Sequence, residues 1–322
     1  MKALVTGGTG FIGSRVVARL LAERHSVRLF SRSRAIPEGL KGVDVEIFRG
    51  DLENPSTVID AMEGMEVFYH LGEIRNTSKA ASERNVRLVE AILGSLTKAG
   101  IRRLVFVSSI TVSGIPSAIP ADEETKPGIV LNDHYTSYKR RCEELITGTP
   151  AAADFAILRP ATTYGPGSRY LGKFIGMLDT IGPFGLPFVG NARNLAPLVY
   201  VEDLAQAVYL SGVQPAASRQ TFILTDSLRH SWFDFFTATA EALGKKVRIV
   251  PLPTLLLKLP AIPFSLFFDI FGFEFDLSGY ADFFSRDLYF DNAKARSLLD
   301  WQPQFSLADG VKEMVRGYKD RQ

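Results

Sequence analysis

In the stretch NDHYTSYKRRCEELI a tyrosine, Tyr135, stands four residues ahead of a lysine, Lys139. Four residues is one helical turn, so on a helix the two side chains share a face, with Cβ atoms about 6 Å apart. Two readings are open: an ordinary helix tyrosine with its hydroxyl in water, or an acid that handles protons. A free tyrosine ionises near pH ~10, so work near pH 7 requires about 4 kcal/mol. One ammonium about 4 Å away supplies on the order of 4 kcal/mol at an effective dielectric of ~20. Upstream, RRLVFVSSITVSG ends an apolar run in two hydroxyl residues, Ser108 and Ser109.

A second chemical motif opens the chain. VTGGTGFIGSRVV joins a strand pattern to an amphipathic helix pattern, with Gly7, Gly10 and Gly13 three apart and Gly8 permitting a GxGxxG reading. Missing side chains let the backbone turn tightly, approach a pyrophosphate and pack the helix on a sheet. The helix N-terminus, from Gly10 through Phe11 and Ile12 to Gly13, then offers N–H groups and a partial positive charge to an anion. Such a loop is specific only in this strand–loop–helix context, which the sequence supplies.

The end of the second strand tests which dinucleotide would bind. An NAD site usually places Asp or Glu there to hold the ribose 2′-hydroxyl. Here LFSRSRAIPEGLK carries Ser31, Arg32, Ser33 and Arg34, with no acid until Glu38. Guanidinium and hydroxyl groups suit a 2′-phosphate, so NADP is expected and NAD stays open, as does a merely solvated basic loop. Asp51, in RGDLENPS, either accepts from the adenine amino group or caps the helix that follows.

These motifs need elements to hold them. The chain has 322 residues, enough for a large core and a second lobe. With 46% hydrophobic and 22% charged residues and a net charge of +2, it reads as a globular enzyme with no nucleic-acid surface. Strand patterns KALVT, SVRLFS, VDVEIF, EVFYHL, RLVFVSS and FAILRP alternate with helical patterns FIGSRVVARLLAER, PSTVIDAME, SKAASERNVRLVEAILGSLTKAG and the helix of Tyr135. Alternation of this kind predicts a doubly wound α/β body, a parallel sheet with helices on both faces. The predicted division is a dinucleotide-binding domain over 1–160 and a smaller, mainly substrate-binding lobe over 161–322 that returns segments to the body.

At this point the resemblance is specific. TGGTGFIG, GDL, FYHLG, FVSSITVSG, YTSYK, LRPATTYGPG and VYVEDLA occur in the order found in extended short-chain dehydrogenases/reductases, and DLYFDNAKARSLLDWQPQFSLADGV resembles that family's C-terminal stretch. The resemblance implies a Rossmann fold with Tyr135 as acid/base, Lys139 as its partner and ribose ligand, and Ser109 as the third catalytic group. It puts Asp51 and Leu52 of GDL, and Leu71 and Gly72 of HLGEI, among the cofactor contacts, although alanine is usual at Gly72. Pro160 to Thr163, with Thr162 and Thr163, fall on the loop that holds the carboxamide. Asn85 matches a family asparagine whose role is either structural or functional.

The same resemblance bears on substrate. Nucleotide-sugar members carry Asn where this chain has Thr162, and Arg where it has Ala196, so a diphosphate would lack charge-assisted bonds here. The chain is nearest the 3β-hydroxysteroid dehydrogenase and dihydroflavonol reductase branch, which implies hydride transfer between nicotinamide and a secondary alcohol or ketone of an apolar small molecule. Sugar epimerisation or dehydration is the alternative, and a cofactor-sensing protein without catalysis a further one. The apolar, aromatic stretch 249–284 carries four prolines and too short an uncharged run to span a bilayer. It reads as a lid, lobe core, dimer face or peripheral membrane contact. A homodimer is expected. With no apolar signal core at the N-terminus and one cysteine, Cys142, expected to be inert, a cytoplasmic location is expected, with membrane association left open. His25, His70, His134 and His230 show no metal-ligand spacing, so no metal is expected.

Overall fold

The computed structural model describes residues 1–33, 45–74, 78–149, 154–182, 184–226, 228–253 and 282–321. The run KALVT forms β1 (Lys2–Thr6), in which Ala3, Leu4 and Val5 are wholly buried. A continuous apolar run, rather than an alternating one, is what a strand covered on both faces requires. The chain continues through α1 (Gly13–Ala22), β2 (Ser26–Ser31), β3 (Glu46–Arg49), α2 (Pro55–Met62), β4 (Val67–His70) and α3 (Lys79–Leu93). A short α4 (Leu96–Ala99) precedes β5 (Arg103–Val107). The small hairpin β6 (Ile115–Pro116) and β7 (Pro127–Ile129) leads to α5 (His134–Gly148) and β8 (Asp154–Pro160).

The long helical pattern of 78–100 is therefore two helices. Gly94 closes α3, and Gly100, with φ of 79°, closes α4 in the left-handed conformation that glycine adopts without a Cβ clash. Periodicity runs through this break because Leu96 continues the buried stripe of Leu88, Val89 and Ile92.

Beyond residue 160 come β9 (Thr162–Tyr164), α6 (Arg169–Ile181), β10 (Leu186–Val189), β11 (Leu198–Tyr200), α7 (Val201–Val213), β12 (Gln220–Leu224), α8 (Trp232–Ala242) and β13 (Ile249–Leu252). The last helices among the described residues are α9 (Ala293–Leu299) and α10 (Leu307–Lys319). Seven strands form one parallel sheet in the order β12-β8-β5-β4-β1-β2-β3. Helices α1, α7 and α9 cover one face through Val16, Leu20, Leu204 and Leu299, while α2, α3 and α5 cover the other through Met62, Leu88 and Ile146. The strand order reverses between β1 and β4, and it is outside the C-terminal ends at such a reversal that open α/β sheets bind ligands.

Strand β12 comes from beyond residue 160, yet pairs with β8 over its whole length. Trp301 Nε1 donates to the Asp203 carbonyl at 2.8 Å, and the Asp203 carboxylate accepts from the Gln304 and Phe305 N–H groups. These bonds fasten the C-terminal stretch to the first turn of α7. A separate core joins α6, α8 and α10 with the β10–β13 pair. Its aromatic rings pack in tilted and edge-to-face pairs: the centroids of Phe174 and Phe188 lie 4.8 and 4.9 Å from that of Phe236, and Phe284 lies 5.1 Å from Trp232. Phe283 and Phe284, at the end of the apolar stretch 249–284, thus belong to lobe core. Its middle, 254–281, lies outside the described residues, as do Arg34 and Glu38. No helix among the described residues is long and apolar enough to cross a membrane.

His70 closes β4 inside the body, with Nδ1 2.7 Å from Thr6 Oγ1. Burial, assisted by the Lys139 ammonium, pushes its imidazole from the ordinary 6.5 down to about 3. Between those values the unfolded chain binds one proton more than the folded one. This contribution to stability is complete above pH 6.5 and drains as pH falls towards 3. From pH 7 to pH 5 the loss is about 2 kcal/mol. Urea unfolding of the wild type and His70→Asn at both pH values should show the variant losing about 2 kcal/mol less than the wild type over this interval.

Candidate active site

The site is built on the turn after β1. Gly7 has φ of 71°, and a Cβ there would lie 2.7 Å from the Gly72 nitrogen, so the loop after β4 presses directly on the turn. The Gly72 N–H in turn donates to Thr6 Oγ1 at 3.2 Å, and a Cβ on Gly72 would meet Leu52 and Gly7 at 2.9 and 3.0 Å. This packing accounts for glycine where the family usually has alanine. A Cβ on Gly10 would meet only the Gly7 carbonyl, at 3.1 Å, which leaves its outer side open. No side chain caps α1 and no acid sits in its first turn. An uncapped helix start beside an open glycine turn fits a pyrophosphate, so the residues present suit a dinucleotide. Phe11 and Ile12 carry this start. Arg15, which sequence reasoning passed over, donates to the Phe11 and Pro166 carbonyls and tethers the YGPG loop to the same turn.

On the adenosine side, Ser31 ends β2 and its Oγ accepts from the Ser33 N–H, while Arg32 is exposed. Asp51 follows β3 and does not cap α2. The cap position belongs to Asn54, and Asp51 Oδ1 instead accepts from the Glu53 N–H at 3.1 Å in a local turn. The helix-cap alternative for Asp51 is thereby removed.

Asp133 caps α5 by accepting from the Thr136 N–H at 2.9 Å, and Tyr135 and Lys139 follow on its first turns. Lys139 is buried, with Nζ donating to the Val107 carbonyl at 2.9 Å and lying 5.7 Å from the centre of the Tyr135 ring. Ser109 follows β5 and starts a short helical turn, Ile110–Ser113, that packs against α5. Its Oγ accepts from both the Thr111 N–H and the Thr111 hydroxyl, which leaves its own proton to give. Ser108 is committed elsewhere: its hydroxyl donates to Glu143 on α5, and the Arg159 guanidinium of β8 grips the same carboxylate at 2.6 and 3.1 Å. Pro160 ends β8, and Thr162 and Thr163 lie on β9, with the Thr163 hydroxyl turned to the Ala161 carbonyl. Ala196 is buried in the lobe core.

Leu71 and Gly72 stand where the loop after β4 meets the glycine turn, and the next residues were missed from sequence. Glu73 Oε2 accepts from the Tyr138 hydroxyl at 2.5 Å and lies 3.8 Å from Lys139 Nζ. Asn85 explains how this loop is held. Its amide accepts from the Ile74 N–H at 2.9 Å and donates to the Ile74 carbonyl at 3.0 Å, a structural clamp. Cys142 is wholly buried and burial pushes its thiol up to about 12, so it is inert. Among the described residues no group of three or more His, Cys, Asp or Glu could hold a metal ion.

Comparison with known proteins gives a consistent pattern. A 3beta-hydroxysteroid-dehydrogenase/decarboxylase isoform 2 of Arabidopsis thaliana is 24% identical across 98% of this chain, which spans 61% of that protein's length. A UDP-glucose 4-epimerase of Vibrio cholerae is 23% identical over 98% of this chain and 94% of its own. The solved structure of MoeE5 in complex with UDP-glucuronic acid and NAD shares the fold, with a TM-score of 0.77 at 21% identity over all of both chains. Residues 3–223 match the NAD dependent epimerase/dehydratase family, and the chain belongs to that family of extended short-chain enzymes.

Proposed function

We propose that the chain is an NADP-preferring dehydrogenase or reductase that interconverts a secondary alcohol and a ketone on a hydrophobic small molecule. The observation that carries this reading is Tyr135 one turn from a buried ammonium, beside a serine whose hydroxyl proton is left to donate. The nicotinamide, when bound, supplies or accepts the hydride. Tyr135 gives the proton to the carbonyl oxygen in reduction and takes it from the alcohol in oxidation. Lys139 Nζ lies 5.7 Å from the centre of the Tyr135 ring, and an ammonium there favours the tyrosinate over the phenol. Ser109 donates to the same substrate oxygen. The glycine turn and the start of α1 hold the diphosphate, with Asp51, Leu52, Leu71 and Gly72 along its path and Pro160, Thr162 and Thr163 at the nicotinamide end.

Thr162 and Ala196 support an apolar substrate, since neither offers a charge to a nucleotide diphosphate. The aromatic rings at the described ends of 249–284 add nothing to this argument, because they pack into lobe core. The epimerase relative keeps a nucleotide sugar as the competing ligand.

Tyr135→Phe should lower turnover by well over tenfold, more than ~1.4 kcal/mol, while cofactor binding stays close to wild type. Ser109→Ala should act in the same direction. Ser108→Ala should instead lower the melting temperature, because it unpairs a buried carboxylate bond. Turnover above a tenth of wild type in Tyr135→Phe would refute the acid/base assignment.

For the cofactor, NADPH should raise the melting temperature more than NADH at equal concentration, and Arg32→Asp should reverse or erase the difference. Equal shifts would refute the preference. In competition binding to the NADPH complex, steroid, terpenoid or flavonoid ketones should displace a bound ketone probe. Micromolar binding of a UDP-sugar with no response to those ketones would establish the epimerase reading instead.

A further inference from the structure

Glu73 takes no part in the mechanism above, yet its carboxylate is built into the site. The backbone on both sides is fixed: the Gly72 N–H is held by Thr6 Oγ1, and Ile74 is clamped through its N–H and C=O by Asn85. Its Oε2 is strapped by the Tyr138 hydroxyl, and Tyr138 is itself buried beside Lys139, with Nζ 5.2 Å from its ring centre. Glu73 therefore meets Lys139 at 3.8 Å by construction.

We infer that Glu73 is a counter-ion that tempers the field of Lys139 at Tyr135, with Tyr138 as the strap that fixes its distance. Glu73 is a positioning residue in this sense, since it acts on Tyr135 through Lys139. The inference rests on the reading of Tyr135 as the acid/base.

The other titratable groups around Lys139 do not offset its charge. His70, from β4, stays neutral above about pH 3. Cys142, on α5, keeps its proton to about pH 12, held up chiefly by burial, with the charge of Glu90 from α3 acting in the same direction. Tyr138 is held protonated by burial and by the Glu73 carboxylate. Glu143, one turn beyond Lys139, is consumed by Arg159 from β8 and by Ser108 after β5. Glu73 alone among these groups places a negative charge at Lys139 without a cation of its own from the sheet.

An ammonium favours tyrosinate; a carboxylate beside that ammonium opposes it. Removing the carboxylate should lower the pH at which Tyr135 ionises by about one unit, tenfold in the ionisation constant. The full chain, labelled with 13C at tyrosine Cζ, would be titrated by NMR, with Tyr135→Phe used to assign the Tyr135 signal. Glu73→Gln should move the midpoint down by about one unit, and Tyr138→Phe, which frees the strap, should move it in the same direction by less. Melting curves of both variants establish that they fold. A midpoint unchanged in folded Glu73→Gln overturns the inference, as does a shift upwards. The parent reading is judged separately, by turnover of Tyr135→Phe, so either can fail while the other stands.

Discussion

The site depends first on one buried ion pair. Glu143 on α5 receives the Arg159 guanidinium from β8 and the Ser108 hydroxyl from the end of β5. A buried pair of this kind adds little net stability over a well-packed apolar contact, because desolvation offsets most of the attraction. Its value is directional. It fixes the rotation and height of α5 against two central strands, and the same helix carries Lys139 and Tyr135 one and two turns earlier, respectively. Were α5 free to turn about its axis, the Lys139 bond to the Val107 carbonyl could not be kept. The positions of Tyr135 and Lys139 thus follow from a contact that touches neither.

A second constraint operates where β1 and β4 part. Gly7 and Gly72 approach so closely that a Cβ on Gly7 would lie 2.7 Å from the Gly72 nitrogen, and Thr6 Oγ1 joins the Gly72 N–H to His70. The glycine turn that suits a pyrophosphate and the loop that carries Glu73 are therefore one packed unit. His70 is buried, neutral and hydrogen-bonded, a structural member of this unit rather than a proton donor near pH 7. Arg15 extends the unit to the YGPG loop of the second lobe through the Pro166 carbonyl.

Much of this was legible in sequence, and the reasons for the gaps are physical. KALVT, the glycine loop and YTSYK are local patterns whose chemistry is set by residues a few positions apart, and the structure brings the glycine loop and the Lys139 ammonium to the C-terminal ends of the central strands β1 and β5. The split of α3 from α4 was hidden because Leu96 keeps the apolar stripe in phase across Gly94. The alternatives for Asp51 could not be separated from spacing, since both put an acid after a strand and before a helix; the choice lay in which backbone N–H it meets. Glu73 and Tyr138 are 65 residues apart, and no periodicity relates them. Their meeting is a product of β4 lying beside β5 and of the pitch of α5, a tertiary fact that no local motif encodes.

Donor accounting at Lys139 ties these levels together. An ammonium has three N–H groups and no acceptor. The Val107 carbonyl takes one at 2.9 Å, and Glu73 draws the ammonium electrostatically at 3.8 Å, outside hydrogen-bond distance. Two donors are thus left uncommitted by backbone, which is the number a lysine needs if it is to serve both a tyrosine and a ribose hydroxyl. The aromatic faces of Phe106 and Tyr138, each 5.2 Å from Nζ, solvate the charge without consuming a donor. The carbonyl, the two rings and the carboxylate together hold Nζ beside the Tyr135 ring, 5.7 Å from its centre.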